Sequence, residues 1–300
     1  LRADASSRRV ALVAIGSSVV WLLLGSLFGM VASLKLHLPD WLVSAAPLTF
    51  GRLRTAHLNA MAYGWASLAM IGVSAWMIPR LVHTELRVPK AAEVGVYFWN
   101  VGVAIGIASI LMGRTDGLEW LEMPRYTADP LIVIGGGLVG FAILATLAVR
   151  EVEHLYVSVW YTMAAFIWFP VIFVVGNWPT FGGVESAAVN WFYAHNALGL
   201  WLTPISLAAA YYFIPKILGR PIYSYQLSLL GFWTLGLFYS LNGMHHLIGG
   251  PLPTWMITTS IVASALMIIP VLAVAVNQHM TMVGRFAALL QLAHRVMVLA

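Results

Sequence analysis

Residues 223–247 read YSYQLSLLGFWTLGLFYSLNGMHHL, an apolar run as long as a membrane crossing that closes on two adjacent histidines. A helix of about 20 apolar residues spans the roughly 30 Å hydrocarbon core of a bilayer, and this run meets that length. The rest of the chain has the same character. Of its 300 residues 61% are hydrophobic and only 9% charged, with a mean hydropathy of +0.86, which is too apolar for a water-soluble domain. Similar stretches lie near 10–34, 57–79, 92–113, 130–149, 155–176, 190–214 and 255–277. Together they predict an all-α, polytopic membrane helix bundle of about eight transmembrane helices, forming one domain over residues 1–300.

No small-residue cleavage site follows the first stretch, so it reads as a retained helix rather than a signal peptide. With no cysteine in the chain, disulfides, thiolate metal sites and covalent haem attachment are excluded. The formal net charge of +5 comes from basic residues spread over short loops. That pattern fits cytoplasmic loop charge and argues against a nucleic-acid partner.

An N-terminus in the cytoplasm puts eleven Lys and Arg on inner loops and five on outer loops, from Lys35 to Arg125, and the excess predicts that orientation. His57, His195 and the His245–His246 pair are then expected at one depth, in the outer third of the membrane. On a continuous helix Tyr239 stands seven residues before His246, two turns deeper on nearly the same face.

A single intramembrane histidine such as His57 is as readily a hydrogen-bonded packing residue as a ligand. Two adjacent imidazoles need separate partners, and neutral imidazole is a common ligand for Cu, Zn and Fe. All eleven Asp and Glu lie at or before Glu185. A metal held by His195, His245 and His246 therefore draws no carboxylate from the helices that carry them, which favours copper over magnesium or calcium.

Three segments carry a resemblance: GRLRTAHLNAMAYGW (51–65), WFYAHNALGLWLTPISLAAAYYFIPKILGRPIYSYQLSLLGFW (191–233) and YSLNGMHHL (239–247). They resemble subunit I of the haem–copper oxidases, most closely the cbb3-type, C-family cytochrome c oxidases. The resemblance implies that His57 is an axial ligand of the low-spin haem b and that His195, His245 and His246 hold CuB. It implies that Tyr239 is the active-site tyrosine, joined to His195 in the C family. In other branches the tyrosine lies four residues after the first copper histidine, and Gly199 stands there.

A proton route along the spans 190–214 and 223–247 is implied through Tyr211, Tyr223 and Ser228, although tyrosines at helix ends are common in aromatic belts. Gly231 replaces a histidine that many relatives carry on the second of these spans. In the outer loop GRTDGLEWLEMPRY (113–126), Glu119 and Glu122 are the implied calcium ligands; a solvated acidic loop accounts for them as well.

The resemblance further implies O2 reduction to water at a haem b3–CuB centre, proton translocation, and a bacterial inner-membrane location. Its implied partners are membrane-anchored c-type cytochrome subunits, cytochrome c as donor, O2 and membrane lipids. Family members ligate haem b3 from a later helix with closely spaced histidines. His279 and His294 are expected on the cytoplasmic side, too far away to substitute, and about four further spans are expected, so the chain reads as a C-terminally incomplete piece. His37, His83 and His154 fall in loops. Two alternatives stay open: a nitric oxide reductase of the same superfamily, whose members place glutamates beside a non-haem iron, and a non-catalytic membrane protein on the same scaffold.

Overall fold

The computed structural model describes residues 2–287 and 290. Among them the chain is helical, with eleven α-helices and no strand. These are α1 (Arg2–His37), α2 (Phe50–Asn59), α3 (Ser67–Leu81), α4 (Pro89–Leu111), α5 (Asp129–Ala148), α6 (Val157–Gly176), α7 (Gly183–Ala197), α8 (Thr203–Leu218), α9 (Tyr225–Tyr239), α10 (Thr254–Leu266) and α11 (Ile268–Met282). α2 runs into α3 through a π-helical segment, Ala60–Ala66, and α7 into α8 through another, Leu198–Leu202. The second precedes Pro204, whose ring nitrogen has no hydrogen for the carbonyl four residues back. Counted as continuous helices, seven segments are long and apolar enough to cross a membrane. Large side chains such as Leu12, Leu23, Phe141 and Trp255 stand on their outer faces, as lipid contact requires.

The predicted span at 223–247 departs from expectation. α9 stops at Tyr239, and Asn242–Leu247 turn as a separate 3-10 helix. His245 and His246 are therefore not on the helix that carries Tyr239, and the expected two-turn stacking on one face is wrong. The helix is interrupted because its carbonyls find side-chain donors: Asn196 Nδ2 donates to the Ser240 carbonyl at 3.2 Å, and Ser260 Oγ to that of Asn242.

The described chain divides into two compact units, residues 1–155 with 166–180, and residues 156–165 with 181–300. In the first, α4 and α5 pack backbone to backbone: a Cβ at Gly135 would lie 2.6 Å from the Gly95 carbonyl, and one at Gly102 would lie 2.9 Å from that of Ala128. Small residues give membrane helices this close approach, which van der Waals packing then rewards. In the second unit α7, α10 and the 3-10 turn meet, and α9 packs on α11. Ser224 caps α9, accepting the Leu227 N–H at 3.2 Å, and Gly219 closes α8 in the left-handed conformation.

Candidate metal centre

In the second unit His195 on α7 meets His245 and His246 on the 3-10 turn, with one nitrogen from each within 4.8 Å of the others. Ring centroids stand 4.8 Å apart for His195–His245, 5.4 Å for His195–His246 and 4.5 Å for His245–His246. Three nitrogens bound to one ion at about 2.0–2.1 Å lie at most about 4.2 Å apart, so small ring rotations complete the set. His195 is buried and its Nδ1 has no hydrogen-bond partner. A buried imidazole nitrogen left unbonded suits a metal bond. His246 lies flat on Trp191, with centroids 3.9 Å apart and planes at 11°.

The tautomer of His245 follows from its neighbours. Ser264 Oγ has one hydrogen and donates it to the Ser260 carbonyl at 2.7 Å. His245 Nδ1, 2.7 Å from the same oxygen, must then carry a proton and donate, which leaves the Nε2 lone pair for a metal. Ser260 fixes the backbone of the same residue by accepting the His245 N–H at 2.8 Å. Ser260 and Ser264 are four apart on α10, hence on one face. No sequence reasoning singled them out, since serine in an apolar helix signals packing as readily as ligand support.

Tyr239 joins the cluster, its ring 4.4 Å from that of His195. Gly199 makes this possible, because a Cβ there would coincide with the Tyr239 ring. The position that carries tyrosine in other branches is thus occupied by the ring of Tyr239.

Tyr211 and Ser228 also meet. Asn277 on α11 donates through Nδ2 to the Tyr211 hydroxyl at 3.3 Å, to Ser228 Oγ at 2.9 Å and to the Ser224 carbonyl at 2.8 Å. Asn277 was not anticipated; a lone asparagine late in an apolar span was the available signal. Tyr223 stands apart, its ring 57% exposed and its N–H given to Thr281 Oγ1.

The first unit holds His57, in the last turn of α2. Its Nδ1 lies 2.7 Å from the Gly25 carbonyl. A carbonyl only accepts, so Nδ1 donates and Nε2 is left as a ligand atom. Gly29, one turn further along α1, leaves room for the ring: a Cβ there would lie 2.7 Å from Nδ1. In the loop before α5, Glu122 is buried and accepts from Asn59 Nδ2 at 2.8 Å. Burial lifts its carboxyl above the ordinary carboxylate range, the Asn59 hydrogen bond opposes the shift and the charge of Glu119 adds to it. The structure thus brings Glu119 within electrostatic reach of the buried Glu122. The Tyr63 hydroxyl, bonded to the Trp120 carbonyl, ties the same loop down.

Of the remaining histidines, His37 ends α1 and His279 lies in the last turn of α11, fifteen residues past Ser264 and about 20 Å along the helix axis. His294 lies outside the described residues.

Comparison with known proteins adds to this geometry. Residues 9–300 match the family described as Cytochrome C and Quinol oxidase polypeptide I. The chain is 32% identical to a cbb3-type cytochrome c oxidase subunit of Stutzerimonas stutzeri, an alignment covering 89% of this chain and 58% of the relative. It is 30% identical to cytochrome c oxidase subunit 1 of Rhodobacter capsulatus, over 89% of this chain and 53% of that one. More distantly, it is 24% identical to quinol oxidase subunit 1 of Sulfolobus acidocaldarius, over 79% and 53%. The chain spans about half the length of the curated relatives it matches.

Proposed function

This multi-pass membrane chain belongs to the cytochrome c and quinol oxidase polypeptide I family, subunit I of the haem–copper oxidases, and from that premise we propose that it forms the copper-binding part of a cbb3-type oxidase that reduces O2 to water. The observation that carries the proposal is the trio His195, His245 and His246 beside Tyr239, in a stretch, residues 186–300, without a single Asp or Glu. These residues would hold copper, and His57 would hold the low-spin haem b through Nε2. When bound, haem and copper supply the redox chemistry and the oxygen site.

The remaining roles belong to the polypeptide. Ser264 keeps the proton on His245 Nδ1. Tyr239, against His195, is placed to give up a proton and an electron from its phenol. Asn277 holds the Tyr211 and Ser228 hydroxyls in place, and these two would line the path along which protons reach that phenol. Glu119 and Glu122 are the ligands for a calcium ion. Haem b3 would take its ligand from outside residues 1–300. Electrons would come from cytochrome c through membrane-anchored c-type cytochrome subunits in a bacterial inner membrane, with the N-terminus cytoplasmic and oxygen reduction coupled to proton translocation.

Metal analysis of the purified native complex is the test. About one copper for every two b-type haems is expected, and His245→Ala should abolish oxygen uptake while leaving the low-spin haem band in place. Non-haem iron without copper would replace this reading with a nitric oxide reductase. A complex without any b-type band would replace it with a non-catalytic role.

A further inference from the structure

We propose that the Tyr161 hydroxyl carries protons between the Tyr211–Asn277–Ser228 network and Tyr239; this rests on the oxidase reading above. Tyr161 sits on the first half of α6, within the second unit. Its side chain is fully buried, and its hydroxyl has no hydrogen-bond partner. The ring is well packed, stacked on Tyr211 with centroids 5.9 Å apart and edge-on to Phe232 at 5.1 Å. Phenylalanine would make those contacts equally well. Leaving a buried hydroxyl unpaired is costly, and buried tyrosines ordinarily bond that group. The oxygen therefore calls for an account other than packing.

Its position supplies one. The hydroxyl faces a notch in α9 made by Gly231: a Cβ there would lie 3.7 Å from the Tyr161 oxygen, 3.0 Å from Val274 Cγ2 and 3.8 Å from Ala273 Cβ. Along α9 the buried stripe runs Ser228, Gly231, Leu235, at the spacing that keeps residues on one face, and Tyr239 follows four residues later. Ser228 is the member bonded to Asn277. The Tyr161 oxygen thus stands beside the next turn, on the way from that network to Tyr239. The remaining eight residues of α9 rise about 12 Å, too far for direct transfer, so the relay would need water to span that last stretch.

The proton balance is simple. Tyr161 passes its hydroxyl proton towards Tyr239 and takes one from the Tyr211 side, and it is a neutral phenol before and after. No electron moves at Tyr161.

The test uses the assembled complex carrying the full native polypeptide. Tyr161→Phe keeps the packing and removes the carrier. It should lower oxygen turnover about tenfold or more and raise the H2O/D2O rate ratio, with haem and copper contents unchanged. Adding Gly231→Ser puts a hydroxyl into the notch, at the cost of a slight shift of Val274, and should recover most of the rate. Gly231→Ala fills the notch and leaves the Tyr161 side chain itself unchanged, and should slow turnover with the same isotope signature. If Tyr161→Phe loses its cofactors, Gly231→Ala decides the matter: a wild-type rate and isotope ratio overturn the relay. Wild-type behaviour of a fully loaded Tyr161→Phe overturns it too, leaving the oxidase reading standing. A wild-type complex that consumes no oxygen overturns the oxidase reading and the relay with it.

Discussion

Replacing Ser264 by alanine should loosen copper without disturbing the fold. The hydroxyl accepts the His245 Nδ1 proton at 2.7 Å, and its own proton goes to the Ser260 carbonyl, so it is what holds the ring in the tautomer with Nε2 free. Removing it withdraws a hydrogen bond worth about 1 kcal/mol net and releases the ring to the alternative tautomer. Loss of such a supporting partner typically costs 10–100-fold in metal affinity, or about 1.4–2.7 kcal/mol. α10 itself should not suffer, since alanine is the better helix former. Competition of the metal-stripped complex against a copper chelator would measure the effect, with thermal midpoint and haem content as controls. Ser264→Thr, which keeps the hydroxyl, should stay near wild type. Copper affinity within a factor of about two of wild type in Ser264→Ala, well below the expected range, would refute the assignment of the tautomer.

Other substitutions probe the neighbouring features. Gly199→Ala places a methyl where the Tyr239 ring lies and should destabilise the second unit by about 1–3 kcal/mol, read as a lower thermal midpoint and loss of oxygen turnover. Gly29→Ala pushes on His57 Nδ1 and should shift or erase the low-spin b band while copper content holds. Asn277→Leu severs the links to Tyr211 and Ser228 and should slow turnover with a raised solvent isotope effect, leaving both cofactor contents intact. Chelation of calcium should lower the thermal midpoint of the wild type, and Glu122→Ala should remove that sensitivity.

The sequence made some features legible and hid others. Length and apolarity were enough to place seven continuous spans, because a bilayer leaves a helix no cheaper alternative. The break after Tyr239 had one local signal, the Asn242-Gly243 pair, which marks turns; what fixes the turn, the side chains of Asn196 and Ser260, is distant in sequence. The imidazole trio could be anticipated from residue type and order. Ser264 and Asn277 could not, because their roles depend on which side chain faces them across a helix pair. Gly199 was read for the tyrosine it lacks. Its physical reason is the ring of Tyr239, which needs the space. Tyr223 illustrates the converse, a residue of the right type whose ring faces outward.

The interruption of α9 also bears on how the protein matures. The carbonyls of Ser240 and Asn242 are taken by side chains of α7 and α10, so the ligand-bearing turn is shaped by the same bonds that fold the bundle. In a zinc finger, metal binding has to supply the free energy of folding; here protein contacts order the turn, so the affinity of a bound ion would not be consumed in building it. Metallation would then be a question of access and ligand exchange at a turn that needs only small ring rotations. Copper-starved cells should accumulate a folded, inactive apoprotein that can be activated later without new synthesis.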